Sequence, residues 1–189
     1  MPLRCAPMSH APNPPRLPAR PAQRIRDGSL DAEQLREDGL RDVALERVDL
    51  ANVRALGVLV ERATLHGCRM TGLQLAESTI RDTLFEGCRI DLAAFRMTRF
   101  ERVVLRDCVL READLVEAQL SSVVLERCDL VGVDLSHATF ARSELRDCRC
   151  DGLIGAERLR GTAMPWSDLV ALAPELAAAI GIAVLDAEQ

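Results

Sequence analysis

Residues 105–130 read "LRDCVLREADLVEAQLSSVVLERCDL", and a large apolar residue returns at every fifth position: Leu105, Leu110, Leu115, Leu120, Leu125 and Leu130. Two residues ahead of each stands a smaller one: Val103, Cys108, Ala113, Ala118, Val123 and Cys128. Followed outward, the large column runs from Leu40 to Cys150, and only Ala55 and Cys150 are not large and apolar. The small column accompanies it from Val43 to Cys148, with Leu73 as its one oversized member. A period of five is neither the 3.6 of a helix face nor the 2 of a simple strand. It requires a chain that stays extended long enough to point two side chains, one residue apart, the same way. The chain must then turn a corner before the next pair.

The columns carry a longer period. Cys68, Cys88, Cys108, Cys128 and Cys148 occupy every fourth small position, twenty residues apart. The charges keep the same interval: Glu46, His66, Glu86, Arg106, Glu126 and Arg146 form one row, and Arg47, Gly67, Gly87, Asp107, Arg127 and Asp147 the next. Elsewhere Glu61, Arg81 and Glu101 run beside Arg62, Asp82 and Arg102. If twenty residues make one coil, these groups stack at ~4.8 Å, the spacing of neighbouring strands. Opposite charges stacked in this way add roughly 0.2–1 kcal/mol per pair, whereas like charges oppose the stack.

The pattern resembles the pentapeptide-repeat family, whose consensus is roughly A(D/N)LXX with the Leu and the small residue inward. The resemblance covers about residues 41–154 and implies an all-β fold, a right-handed quadrilateral parallel β-helix of about six coils of twenty residues. A small C-terminal helical cap is expected beyond it. The expected organisation is a disordered Pro/Arg-rich arm (1–28), an N-terminal cap (29–40), the repeat β-helix (41–160) and a C-terminal helical and strand module (161–189). No Pro lies between Pro21 and Pro165, so the rod should be unbroken. Segment 29–39, "SLDAEQLREDG", reads either as a short helix ending at Gly39 or as one more irregular coil. In the tail, Ser167 is positioned to cap a first helix, Pro174 to begin a second and Gly181 to stop it, with "IAVL" as a following strand. Trp166, at this junction, is expected to cover the last coil.

Composition narrows the function. The 189 residues are 48% hydrophobic but only 3% aromatic, so the core is built from Leu, Val, Ala and Cys. Charge is unevenly placed: the first 26 residues carry Arg and no acid, the repeat body is nearly balanced, and the tail from 161 is acidic. A balanced body lacks the basic patch of a nucleic-acid binder, so no direct nucleic-acid binding is expected. No segment reaches the ~18 apolar residues of a membrane span. Seven Cys without a recognisable secretion signal argue for reduced thiols and a cytoplasmic location. The thiol column alternates with Val48 and reads as small core residues rather than as ligands. Cys148 and Cys150 are too close in sequence for a paired zinc motif. His10, His66 and His137 lie in separate segments. No catalytic, metal or cofactor site is assigned, and an enzyme is not expected.

Two candidate surfaces remain. Outward positions of the third side of each coil gather Glu77, Glu112, Asp114, Glu117 and Asp134 against only Arg54 and Arg96, mixed with Leu56, Met97 and Val116. This is the most acidic stripe, and it reads either as a solvated face or as a docking surface for a basic partner. The quinolone-resistance branch of the family imitates duplex DNA, binds DNA gyrase and dimerises through a C-terminal module. The resemblance therefore implies a DNA-mimic modulator of DNA gyrase, a type II topoisomerase, conferring fluoroquinolone tolerance. A scaffold for another protein partner is the alternative. The resemblance also implies a homodimer contact through Trp166, Leu169, Leu172, Leu176 and Ile180; an apolar cap used only within the monomer is the alternative. One departure stands against mimicry: these coils alternate in sign, whereas duplex DNA carries a negative charge every ~1.7 Å.

Overall fold

A computed structural model describes residues 11–37 and 39–184. Its frame is a stack of short parallel strands, and their register follows the twenty-residue interval. The chain runs through β1 (Gln23–Arg26), α1 (Ala32–Glu37), β2 (Leu40–Arg41), β3 (Val43–Glu46), β4 (Leu59–Glu61) and β5 (Thr64–His66). Three longer strands follow that each turn one corner: β6 (Thr79–Glu86), β7 (Arg99–Arg106) and β8 (Gln119–Glu126). The stack closes with β9 (Thr139–Ala141), β10 (Ser143–Arg146), a 3-10 turn at Ala156–Leu159 and β11 (Thr162–Ala163). Two short helices, α2 (Trp166–Ala171) and α3 (Ala173–Ala179), lie beyond.

Pairs such as Leu65↔Phe85, Phe85↔Leu105 and Leu105↔Leu125 are parallel and one coil apart. The other two sides are held by single bridges at the same interval, among them Arg89↔Val109 and Asp114↔Asp134. The result is a four-sided parallel β-helix. Its first side carries the inward column Leu45 to Leu145, its second Leu50 to Cys150, its third Ala55 to Leu135 and its fourth Leu40 to Phe140. Both columns of each side are buried almost throughout and merge into one core. Between Phe85 and Leu159 that core leaves a void of only about 30 Å³, lined by Leu, Ile, Val and Phe alone. Phe95 and Phe100 meet edge to face across one corner, with centroids 5.6 Å apart.

The corners have a conformation of their own. From Asp42 to Gly152, every fifth residue takes a positive φ. Left-handed backbone is costly for side chains branched at Cβ. None of these corner positions holds Val, Ile or Thr. Gly, Asp, Asn, Arg and Glu fill most of them, and Leu92 (φ 57) and Met97 (φ 55) are the bulky apolar exceptions. Replacing Leu92 with Val should lower stability, because a β-branched side chain is disfavoured there beyond the cost Leu already bears, whereas Leu92→Gly should be neutral or stabilising. Chemical denaturation of the two variants beside the parent checks this.

The coil begins earlier than residue 41. β1 pairs with β3 in register, Ile25↔Leu45, and Ser29 bridges Asp49. The inward column therefore extends back through Leu35 and Leu30 to Ile25. In segment 29–39 the chain bridges Asp49 through Ser29 and then forms the short helix α1. The Asp31 carboxylate accepts the N–H groups of Glu33 and Gln34, and the Gln34 side chain accepts the Asp31 N–H, each at 2.9 Å. This reciprocal capping box starts α1. Gly39, at φ 60, returns the chain to the coil after it.

The arm departs from expectation as well. Residues 1–10 lie outside the described residues, but residues 11–22 lie along the coil rather than free of it. The Arg16 N–H donates to Asp82 Oδ1 at 2.9 Å and the Ala22 N–H to the Asp42 carbonyl at 2.6 Å.

At the far end the coil runs past residue 160, since β11 pairs with β10 through Ser143↔Thr162. Pro165, not Ser167, precedes the first turn of α2, and the Ser167 hydroxyl bonds Asp168 instead. Pro174 lies in the first turn of α3, and Gly181 follows it at φ 79. Residues 182–184 form no strand, and Leu185 lies outside the described residues. Trp166 does not cover the last coil: it is 75% exposed, and Leu172, 3% exposed, takes that place with Leu176 beside it. The edge is closed by carboxylates. Inner coils pass corner N–H groups to carbonyls of the next coil, as Asp107 does to Glu126 and Gly132 to Asp151. In the last coil Asp147 N–H donates to Asp168 Oδ2 (2.6 Å) and Gly152 N–H to Glu175 Oε1 (3.2 Å). The tail's acids thus satisfy donors that would otherwise remain open for another strand.

Candidate docking face

Each pentad presents three outward residues, and most of the charge they carry is spent on neighbouring coils. At the corners, Arg47 grips Asp27 with both contacts at 2.7 Å. Arg62 grips Asp42 at 2.7 and 2.6 Å, and Arg102 grips Asp82 at 2.6 and 2.8 Å. Arg127 grips Asp107 at 2.7 and 2.9 Å. Each is a two-pronged pair one coil apart, a geometry that suits the guanidinium fork. Arg106 adds a bond to Glu126 at 2.8 Å, and Arg81 pairs with Glu61 at 2.8 Å. These contacts neutralise much of the first and fourth sides and the two corners that flank the first side.

The ladder sets a pH dependence. Hydrogen bonds from Arg62, Arg102 and Arg127 hold the carboxyls of Asp42, Asp82 and Asp107 below the usual carboxylate range, against a smaller opposing effect of desolvation. Their folded values lie below the unfolded value near 3.9. The stabilisation is therefore complete above about pH 5 and is lost as the pH falls through the depressed folded values. The melting temperature should show no ladder-dependent change from pH 8 to 5 and should fall below about pH 4. Asp82→Asn should blunt that fall.

The thiols do structural work. Cys88, Cys128 and Cys148 direct Sγ at the carbonyl oxygens of Leu65, Leu105 and Leu125 in the preceding coil, each at 3.4 Å. The hydroxyls of Thr98 and Ser143 make the same contact to Leu75 and Leu120. Contact with neighbouring thiols, and then burial, push Cys68, Cys108 and Cys148 upward. Burial, with acids nearby, pushes Cys150 up to about 12. Protonated buried thiols are poor nucleophiles. Among the described residues no group of His, Cys, Asp and Glu is arranged to hold a metal ion. No described helix is long and apolar enough to cross a membrane.

The third side differs from the others. Asp114 and Asp134 are direct neighbours in register, with Glu112 at the adjoining corner. Glu77 and Glu117 share the opposite corner row, two coils apart, with Met97 between them. Part of this acid is engaged locally: Asp114 accepts the Val116 N–H (3.1 Å) and pairs with Arg96, and Asp134 accepts the Ser136 N–H (2.8 Å). Glu77, Glu112 and Glu117 are exposed and make no ion pair among the described residues. Sequence reasoning found Leu56 and Met97 here but missed Leu92 and Ile154. On the described coil, the exposed large hydrophobics are Leu56, Leu92, Met97 and Ile154, and all four lie on the third side or its two corners. Their signal was a bulky apolar residue in an outward position that the pattern fills with polar groups.

The proposed dimer residues fall into two groups. Trp166 and Ile180 are exposed, together with Val170, Ile182 and Val184. Leu172 and Leu176 pack against the coil within the same chain, and Leu169 is half-buried. Leu172 is therefore an internal contact and is unavailable to a partner.

This coil geometry agrees with sequence comparison. Residues 58–135 match the family model described as Pentapeptide repeat region, and the parallel coils over those residues agree with that match. Among solved structures, a trypsin-treated form of QnrB1, described as a plasmid-mediated fluoroquinolone resistance protein, is 17% identical. The alignment covers 87% of this chain and 98% of that one, with a TM-score of 0.33. Rfr23 from the cyanobacterium Cyanothece 51142 is 16% identical over 75% of this chain and 64% of that one, with a TM-score of 0.27. HetL from the cyanobacterium Nostoc sp. strain PCC 7120, described as involved in heterocyst differentiation regulation, is 16% identical. Its alignment covers 77% of this chain and 89% of that one, with a TM-score of 0.26. No curated protein matches the chain in sequence.

Proposed function

We propose that the chain is a non-catalytic docking rod whose third side binds a partner protein carrying basic residues around an apolar patch. The observation that carries this reading is the coincidence on one side of Leu56, Leu92, Met97 and Ile154 with the unpaired Glu77, Glu112 and Glu117. The other sides are largely neutralised, so the rod engages its partner with one face. A duplex mimic would instead need negative charge all round, at the density of DNA. A type II topoisomerase is the partner class that the family resemblance implies, and it is the first to test. The exposed Trp166, Val170 and Ile180 fit a homodimer contact at the C-terminal end.

A DNA gyrase supercoiling assay with the purified chain, with and without a quinolone, tests the partner. Inhibition or protection that is lost in Glu77→Arg/Glu117→Arg supports both the partner and the face. No effect at micromolar protein overturns the topoisomerase assignment. An effect that survives the charge reversal overturns the face. Light scattering of Trp166→Asp beside the parent tests the dimer: a dimeric parent and a monomeric variant are expected.

A further inference from the structure

The described arm lies against the first side in a regular way. Among residues 11–22 only Pro12, Pro15, Pro18 and Pro21 are half-buried, and they recur at every third position. Proline fixes its own φ and biases the preceding residue toward extended backbone. An extended polyproline helix has three residues per turn, so these rings share one face. Ala22 bonds the carbonyl of Asp42, Pro18 and Pro21 sit beside Ala44 and Thr64, and the Arg16 N–H reaches Asp82, two coils beyond Asp42. The arm therefore climbs the rod beside the start of the outward row Ala44, Thr64, Leu84, Val104 and Val124, as far as the coil of Asp82.

That row is unlike the other outward rows. It has no charge from Ala44 to Val124, and Thr64, Leu84, Val104 and Val124 are half-buried although they point away from the core. Charges of both signs border it: Glu46, Glu86 and Arg106 on one side, and Asp82 with its partner Arg102 on the other. The Arg16 charge lies near Asp82, and Arg24 and Arg26 pair with Glu46. Uncharged ground complements the proline rings, and Glu46 and Asp82 at its borders receive the arginines that accompany them.

We propose that this row is a docking groove for an extended, proline-rich, arginine-bearing segment of a partner protein, with the chain's own arm as its resident occupant. The groove lies on the first side and is independent of the third-side reading. A tethered occupant acts at millimolar effective concentration. An incoming segment must displace it, so the arm sets the threshold for binding.

The test uses the full chain and a fluorescein-labelled peptide with the sequence of residues 11–22, read by fluorescence anisotropy. The chain carrying Pro12→Ser, Pro15→Ser, Pro18→Ser and Pro21→Ser should bind the peptide at least roughly tenfold more tightly than the intact chain. A peptide of the same composition with its prolines out of three-residue spacing should bind at least roughly tenfold more weakly. Adding Leu84→Asp, or Thr64→Arg if the first variant melts early, should abolish binding with the melting curve unchanged. The proposal is overturned by equal binding to loosened and intact chains, by indifference to proline spacing, or by binding that survives the groove substitutions. An intact chain that light scattering shows to be an arm-exchanged dimer would overturn the intramolecular occupancy.

Discussion

Leu105→Asp should unfold the rod. Leu105 is 5% exposed in the middle of the first side, between Phe85 and Leu125 in the coils before and after it. A carboxylate there has no cation or donor within the core, because the surrounding interior is lined only by apolar side chains. Loss of a buried leucine alone costs about 2–5 kcal/mol. An unpaired buried charge adds to that, or is neutralised by protonation at further cost. The expected outcome is loss of the cooperative thermal transition, or destabilisation by more than about 4 kcal/mol in urea. Its neighbour provides the contrast. Arg106 points outward to Glu126 and Glu86, and Arg106→Ala should cost less than about 1 kcal/mol. A Leu105→Asp chain that melted with the parent would show the inward column to be misassigned.

Gly39→Val should be the most damaging single change at the N-terminal end. At φ 60, Gly39 is in the left-handed region, and a Cβ there would stand 2.5 Å from the Leu59 carbonyl oxygen. That oxygen belongs to the backbone of β4, so the clash cannot be relieved by a side-chain rotation. Strained backbone of this kind costs on the order of 1–3 kcal/mol, and a β-branched residue lies at the high end. The damage should be local. Hydrogen exchange should accelerate in β1 to β4 and remain near parental rates in β7 and β8. Uniform acceleration through both regions would mean that the coils unfold as one unit.

The sequence made the inward columns legible because a five-residue period has no competitor among helices and strands. It lost the first coil for a physical reason. Ile25, Leu30 and Leu35 keep the large column, but Gln23, Gly28 and Glu33 occupy the places of the small one. The corners carried a signal that the columns overshadowed, the exclusion of β-branched residues from every left-handed position. The acidic stripe was legible as a set of outward positions. Which of its charges stay free was not, because Arg96 reaches diagonally to Asp114 rather than straight up its row. The arm looked unstructured by composition, and the bonds from Ala22 to Asp42 and from Arg16 to Asp82, sixty-six residues away, reveal its seat. Trp166 misled because size suggested a lid, whereas Leu172 on the following turn closes the coil.

The corner ladder also determines how the rod could be lengthened or shortened. Asp42–Arg62 and Asp82–Arg102 are the same pair repeated forty residues on, and Arg106 lies between Glu86 and Glu126. Removing twenty residues between Gly87 and Arg106 inclusive would keep the core in phase but bring Glu86 against Glu126, two like charges across one coil. Removing forty would keep both core phase and alternation, since Glu86 would then meet Arg146. The core counts in single coils, whereas the surface counts in pairs, so the electrostatic building block of this rod is two coils deep.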